Sequence, residues 1–590
     1  MAIENLVTDH LDLWTSAVRS KSSAGRGTNS KLELTGIKKL QELILELAVR
    51  GKLVPQDPSD EPASVLLERI AAEKAKLIKE GKIKQPKVLP RINEEDKTFE
   101  LPEGWAWSML AEIAAINPRN DVDDSLDAAF VPMALVSTSY NGGHDFEIKK
   151  WGEIKKGFTH FANGDIGIAK ITPCFENSKA AIFGGLVNGV GAGTTELHIA
   201  RPYTMNVLPR FILLIIKSPI YLRKGEAGMT GTAGQKRLAK EFFSFYPLPI
   251  PPLAEQQRIV AKVDELMALC DQLEQQSEAQ LTAHQTLVET LLATLTDSAD
   301  ADELSHNWAR LSTHFDTLFT TETSIDVLKQ TILQLAVMGK LVHQDPSDEP
   351  ASVLLERIAF EKARLIKEKK IKKDNLQLVK NEGEKAFDLP NGWEWCKLGE
   401  LMPNFQNGAS SRGDSSGTPV TVLRLADIKD WRISLDDSRT LPIEKSSIEK
   451  FMLKHDDILI IRVNGSADIV GRFIACDGNY DAIYCDHFIR MRFIVKAFEA
   501  KYLFILGGSR VVRSAVEELF VSTAGQKTVN QGHISSISLP LPPIAEQHRI
   551  VAKVDELMSL CDQLKACLKT SQITQRYLAE ALVEQVLMEA

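Results

Sequence analysis

The sequence lacks any long hydrophobic run. Its longest clean apolar stretch, Phe211–Ile216, is far below the roughly 20 residues a bilayer-spanning helix needs. The N-terminus lacks the basic-then-apolar order of a secretory signal, so a cytoplasmic location is expected. Cysteine is sparse as well: seven scattered residues (174, 270, 396, 476, 485, 561 and 567) contain no Cys-x-x-Cys pair. That usage fits free buried thiols in a reducing compartment. Cys485 and His487 are neighbours in sequence, but no complete ligand set surrounds them, and no metal site is expected.

Positive charge is also short. The net charge is −9, and residues 254–322 account for it with 3 basic against 13 acidic side chains. Residues 99–253 carry 15 of each sign, and 387–544 carry 18 basic and 19 acidic. A phosphate-binding surface on these two blocks is therefore permitted but not demanded, and much of any DNA affinity would come from a partner. Catalytic motifs are missing too. No Asn/Asp-Pro-Pro-Tyr/Phe tetrapeptide of an adenine methyltransferase occurs, since Asn117-Pro118 runs into Arg119. No GxxxxGK[S/T] phosphate loop exists, and the glycine run 189–193 lacks the context of a cofactor loop. Glu147-Ile148-Lys149 and Glu153-Ile154-Lys155 echo half of a nuclease motif, as chance tripeptides do. The chain is expected to be non-catalytic.

What the sequence does contain, it contains twice. Leu248–Leu273 returns as Leu539–Leu564 with 22 of 26 positions identical, and Leu47–Lys84 returns as Leu335–Lys372 with 33 of 38. Repetition on this scale sets the architecture. The plan, stated once per copy, is helical segment, variable block, helical segment. It gives five regions: 1–98, helical; 99–253, variable; 254–386, helical; 387–544, variable; 545–590, helical.

Residues 1–36 are poorly periodic and include a basic Gly/Ser-rich loop at 21–30. Ile37, Leu40, Ile44, Leu47 and Ala48 fall at helical spacing, and Gly51 supplies a stop, as Gly339 does in the second copy. In the following QDPSDEP turn, Ser59 and Asp60 are candidate caps with Pro62 in the first turn. Charged amphipathic helices are predicted over about 63–80 and 351–369, with Lys-rich tails at 74–87 and 362–373 read as solvated faces.

Each variable block opens alike, Phe99–Trp107 and Phe387–Trp395, with a Pro-x-Gly turn before two alternating tryptophans. This predicts a strand with one packed face and a core role for the indoles. Inside, short β-rich runs such as 166–171 and 457–463 precede helical stretches near 208–223 and 500–519. The interiors otherwise share almost nothing. Likeness returns at Gly231–Arg237 and Ser522–Lys527, both containing Thr-Ala-Gly-Gln-Lys. Such a loop can bring amides and an ammonium to a phosphate or base edge, or it can be a plain tight turn. Each block leaves through a proline-rich strand into a long helix with an apolar seam: Ile259, Val263, Leu266, Cys270 and Leu273, then Leu281, His284, Val288, Leu291 and Leu295. The twin seam is Ile550, Val554, Leu557, Cys561, Leu564, Leu582 and Val586. His284 is read as a packed seam residue, and 296–324 as an acidic connector.

Duplicated proline-rich exits, Leu-Pro-x-Gly-Trp-x-Trp openings and Thr-Ala-Gly-Gln-Lys loops together resemble the specificity subunit of type I restriction-modification enzymes, over essentially the whole chain. The resemblance implies an α+β fold: two β-rich target recognition domains joined by long antiparallel coiled-coil-like helices. It implies that each block reads one half of a split double-stranded DNA target while the helices space the halves and dock two methyltransferase subunits. S-adenosylmethionine, ATP and Mg2+ would then belong to partner subunits, including the restriction/translocase subunits, and none to this chain. A pseudo-twofold would place the half-sites about 10 bp apart, centre to centre. For the two halves to be equivalent, 37–84 must pack where the C-terminal helix ends, which predicts neighbouring chain termini and a circular arrangement. Two other readings are a single-chain restriction-enzyme fragment, which should contain a methyltransferase motif, and a coiled-coil adaptor binding only protein, which leaves the two unlike blocks unexplained.

Candidate DNA-binding residues are Thr232, Gln235, Lys236 and Arg237 in the first loop, and Thr523, Gln526 and Lys527 in the second. Basic clusters add Lys149, Lys150, Lys155 and Lys156 in the first block, and Arg462, Arg472, Arg490 and Arg492 in the second.

Overall fold

The computed structural model describes residues 3–20, 32–81, 83, 89–204, 206–232, 234–299, 301–369, 387–410, 417–429, 431–493, 498–523 and 525–589. The basic loop at 21–30 and the ends of both Lys-rich tails (82, 84–87 and 370–373) lie outside the described residues. The chain divides into two units: the first runs from the N-terminus to Ala279 and takes in the chain from Gln572 onward, and the second holds Gln280–Ser571.

In unit 1, the helix predicted from the spacing of Ile37 to Ala48 spans Thr35–Val49, and all five marker positions are buried. The region before it is more structured than its weak periodicity suggested. Helices Ile3–Asp9 and Leu11–Ser16 bury Leu6, Val7 and Trp14, whose indole donates to the Leu6 carbonyl at 3.3 Å. These pieces are too short to show a stripe, and tertiary burial stabilises them.

The helix stop at Gly51 has φ +69°, and a Cβ there would lie 2.8 Å from the Trp105 ring. The next helix, Ala63–Lys79, begins differently from the expectation. Ser59 bonds Asp57 within the turn, and Asp60 pairs with Arg258 at 2.6 Å. Pro62 stands at the cap position, and the Ala63 amide donates to the Gly104 carbonyl at 2.8 Å. So the helix start is tied to the turn that opens the variable block. That turn brings Trp105 to Glu255 at the head of the long helix, indole to carboxylate at 2.9 Å. Burial pushes the Glu255 carboxyl above its ordinary range. Unit 2 repeats every contact: Gly339 against Trp393, Asp348 with Arg549 at 2.6 Å, the Ala351 amide on Gly392, and the Trp393 indole on Glu546 at 3.0 Å.

The long helices are Leu253–Asp297 and Ile544–Glu589, 45 and 46 residues, or about 68 Å each at 1.5 Å per residue. Unit 1 holds the first part of one and the last part of the other; Ile259, Val263, Leu266 and Cys270 share its core with Ala579, Leu582, Val583 and Val586. Unit 2 holds the complementary parts, with Val288, Leu292 and Leu295 sharing a core with Ile550, Val554 and Cys561. His284 Nε2 donates to the Thr317 carbonyl, 3.0 Å away. The supposed connector is largely helical, as Ala301–Ser312 and Phe315–Leu318 before the helix Glu322–Val337. In unit 1, Arg50 donates to the Leu587 carbonyl at 3.2 Å, so the first helical repeat meets the end of the chain.

The variable blocks are β-rich and built alike. In the first, one sheet orders strands Glu147–Lys150, Asp127–Val131, Val190–Gly193 and Thr159–Ala162, the middle pair parallel. Its second sheet orders Ala114–Ile116, Leu197–Pro202, Ile166–Ala169 and Ala180–Ile182. The second block has Arg439–Ile443, Thr418–Leu423 and Ala482–Tyr484, again with a parallel pair, and then Pro403–Asn407, Phe488–Phe493, Ile458–Ile461 and Phe473–Ala475. Opening and closing strands clasp each block antiparallel: Ala106–Met109 with Pro247–Ile250, and Glu394–Lys397 with Ser538–Leu541. Trp107 packs on Phe99 and Trp395 on Phe387, ring centroids 5.4 and 5.3 Å apart. Each expected helical stretch is two helices, Pro209–Lys217 then Pro219–Ala227, and Ala500–Gly508 then Arg510–Leu519.

Candidate nucleic-acid interface

In each block the second sheet is organised around one central strand preceded by a buried aspartate. Asp165 accepts the Ala162 amide at 2.7 Å and takes both arms of Arg201, at 2.8 and 2.7 Å. Burial raises its pKa while Arg201 opposes the shift. Asp457 accepts the Lys454 amide at 2.8 Å and both arms of Arg492, at 2.5 and 2.6 Å. This places two candidates from the second block in the scaffold. Arg492 is committed to Asp457, and Arg490 is 5% exposed, with one arm on Asn404 at 3.2 Å. A fork already filled by a buried carboxylate is not a free reader of a base.

The central strands Ile166–Ala169 and Ile458–Ile461 lead directly into Lys170 and Arg462. Backbone hydrogen bonds fix the correspondence without reference to sequence. The Lys170 amide donates to Glu196 and the Arg462 amide to His487; the Leu238 amide donates to Lys170 and the Val529 amide to Arg462. On the neighbouring strand, the Lys179 carbonyl receives the Ala169 amide at 2.9 Å, and the Arg472 carbonyl receives the Ile461 amide at 3.0 Å. The Thr-Ala-Gly-Gln-Lys segment folds as a hairpin against the same end. Thr230 bridges Arg237 in the first block, and Val521–Thr523 pairs with Gln526–Thr528 in the second. The Lys236 amide is held by the Thr172 hydroxyl at 3.1 Å, and the Lys527 ammonium lies 3.3 Å from the Gly465 carbonyl. Two blocks of unlike sequence therefore carry cationic residues at three equivalent backbone positions, Lys170 and Arg462, Lys179 and Arg472, Lys236 and Lys527, although the Lys179 ammonium donates to the Met133 carbonyl at 2.8 Å and Arg472 Nε to the Asp468 carbonyl at 2.9 Å.

The remaining candidates separate by what they already hold. Thr232, Gln235 and Lys236 are exposed, and the Gln235 amide closes the turn on the Thr232 carbonyl at 2.9 Å. Arg237 is bound in a fork to Glu196, at 3.0 and 2.9 Å. Gln526 is exposed beside Lys527, and Thr523 lies in the paired strand. The first-block lysines are not gathered at this end. Lys149 pairs with Glu147 at 3.1 Å and sits 3.9 Å over the Phe130 ring, Lys150 pairs with Asp127 at 2.9 Å, and Lys155 with Asp124 at 2.5 Å. Lys156 is exposed beside them.

Sequence reasoning missed Lys170 and Lys179. The signal was present as Asp165-Ile-Gly-Ile-Ala-Lys170 against Asp457-Ile-Leu-Ile-Ile-Arg462, an aspartate five residues before a cation across a buried strand. Near the same end, Cys485, Asp486 and His487 bring their ligand atoms within 4.8 Å of one another. Cys485 Sγ lies 3.5 Å from His487 Nδ1, and burial pushes the thiol up to about 11, so it is a protonated hydrogen-bonding group at neutral pH.

Comparison with known proteins bears directly on this paired arrangement. The Type I restriction modification DNA specificity domain matches residues 102–283 and 390–575, one match per block together with its long helix. The EcoEI specificity subunit of the type I restriction enzyme of Escherichia coli is 52% identical over 100% of both chains. The EcoAI specificity subunit of the same organism is also 52% identical, over 99% of both. A solved HsdS subunit from Thermoanaerobacter tengcongensis is 17% identical, with a TM-score of 0.40 over 83% of this chain and 98% of that one. Twin domains matched in tandem, and identity above one half along the full length, place this chain in the family of type I restriction enzyme specificity subunits.

Proposed function

We propose that each β-rich block reads one half of a bipartite DNA target, and that the long helices fix the gap and dock two methyltransferase subunits. In this reading the chain performs no chemistry. It directs adenine methylation and restriction carried out by partner subunits, which hold S-adenosylmethionine, ATP and Mg2+, in the cytoplasm. The observation that carries it is the three matched cationic positions on two dissimilar blocks framed by duplicated ends. A common scaffold with common cations suits phosphate contacts that set register, while dissimilar surroundings suit base contacts that differ between halves.

The test is to co-express the chain with its methyltransferase partner and map every modified adenine. The expected product is a split motif with two short halves and a fixed gap. A contiguous motif, or methylation independent of this chain, would defeat the reading. In the assembled complex, Lys236→Ala and Lys527→Ala should each weaken DNA binding with the fold intact and lower the slope of log affinity against log salt by about one.

A further inference from the structure

In the second block a hairpin of Ile428–Lys429 and Arg432–Ile433 pairs Lys429 with Arg432 and places Trp431 at its turn. Trp431 has φ +61°, a left-handed conformation that suits glycine or asparagine at such a turn and is costly for a bulky side chain. Trp431 is 37% exposed, although a residue of this size could be buried at a gain. The Arg472 guanidinium lies 4.6 Å over the ring centroid, and its Nε donates to the Asp468 carbonyl at 2.9 Å, so the backing group is itself held. Arg472 is one of the three matched cations. Its carbonyl receives the Ile461 amide; the next residue is Arg462, and Asn464 stands opposite Lys527 in the paired strands. Trp431, with its positive φ, therefore flanks the cationic end of the block.

The first block handles the same place differently. The segment after its corresponding strand, bridged at Val136 and His144, carries Tyr140. Arg210 covers that ring at 5.6 Å and is ion-paired to Asp264 of the long helix. Tyr140 is thus tied into its own scaffold, whereas Trp431, with Arg472 over its ring, stays 37% exposed.

We infer that Trp431 is an apolar wedge of the second recognition block, placing its exposed indole against a base step of the DNA half-site while Arg472 braces the ring. This rests on the recognition role proposed above. An apolar side chain pressed on a base step partly unstacks it and reads deformability rather than a hydrogen-bond pattern. A cation stacked on the ring adds attraction to the flanking phosphates. Strain held at an exposed aromatic beside a basic surface is the cost of that placement.

The experiment uses the complex with its methyltransferase subunits and a duplex of the mapped split target, with 2-aminopurine placed in turn at each step of both halves. Wild-type complex should raise the fluorescence at one step of one half only. Trp431→Ala should abolish that rise and weaken binding about tenfold or more, in the range of aromatic–base stacking; Trp431→Phe should keep part of both. Trp431→Gly should show the same DNA defect with a thermal midpoint equal to or above wild type, because glycine accepts the positive φ. Unchanged affinity and an unchanged fluorescence rise in Trp431→Ala would overturn the wedge while leaving two-block recognition standing. So would a loss of subunit assembly in Trp431→Ala, which would mark a protein contact. If Lys236→Ala and Lys527→Ala also left binding unaltered, the recognition reading itself would fail.

Discussion

At the scale of single residues, Lys217 carries the clearest pH signature. It ends the helix Pro209–Lys217 with 3% exposure, and its ammonium donates to the Ser178 carbonyl at 2.6 Å. Burial lowers its pKa to about 7. An unfolded chain would hold that proton up to the ordinary lysine value of 10.5. Between these values the unfolded state binds more protons, so stability rises with pH across the window, by at most about 1.4 kcal/mol per pH unit. Below pH 7 both states are protonated and the penalty is fully present. Lys217→Met removes the titration. Its thermal midpoint relative to wild type should therefore be highest near pH 7 and fall progressively toward pH 10. A difference flat across that range would show that the ammonium is not desolvated in the folded chain. Single residues were also where the sequence was hardest to read. Arg490 and Arg492 look identical to surface cations until the buried Asp457, just before the strand Ile458–Ile461, and Asn404, on the strand Pro403–Asn407, supply their partners. Lys170 was overlooked because its meaning depends on the ladder that places it opposite Glu196.

At the scale of elements, periodicity and punctuation were legible where a helix shows a stripe and ends on glycine. Thr35–Val49 was readable for that reason. Breaks at serine were not. Ser218 and Ser509 divide what reads as one helical stretch, each hydroxyl bonding the carbonyl three residues back, at 2.7 and 2.6 Å. Ser218-Pro219 was in fact a readable start, with Pro219 at the first helical position. The glycine stop at Gly51 makes a stronger statement than a turn preference. Its Cβ would meet Pro102 at 2.6 Å and Trp105 at 2.8 Å, so the end of the helix is docked against the opening of the recognition block. Gly51→Ala should cost more than the about 1 kcal/mol of a left-handed alanine, because ring and proline must also shift. The expected readout is a lower thermal midpoint together with a red-shifted tryptophan emission as Trp105 loosens. An unaltered emission and midpoint would mean that the helix end and the block opening are not coupled.

At the scale of the whole molecule, the chain's order and its packing disagree in a specific way. Unit 1 contains both the first helices and the last turns of the final helix, although more than five hundred residues separate Arg50 from Leu587 in sequence. The duplicated segments made this legible, since equivalence of the two halves left the first repeat without a neighbour until the chain end was placed beside it. The second repeat shows what that neighbour supplies. There Lys340 donates to the Thr296 and Ser298 carbonyls, both at 2.8 Å, at the end of the first long helix. In unit 1 Arg50 serves the end of the second, where a cation also meets the negative end of the helix dipole. Truncation after Ser571 therefore removes a structural wall and not a tail. It uncovers core residues packed with Ala579, Leu582, Val583 and Val586, a loss of several kcal/mol at about 1.5 kcal/mol or more per buried aliphatic side chain. Hydrogen exchange should accelerate in Thr35–Val49 while Glu322–Val337 in unit 2 keeps its protection. Equal acceleration in both helices would mean that the units do not unfold separately, and no acceleration in either would mean that the chain end contributes nothing to the first repeat. On the recognition role proposed above, the same truncated chain should still bind through its second block but lose the fixed gap between half-sites.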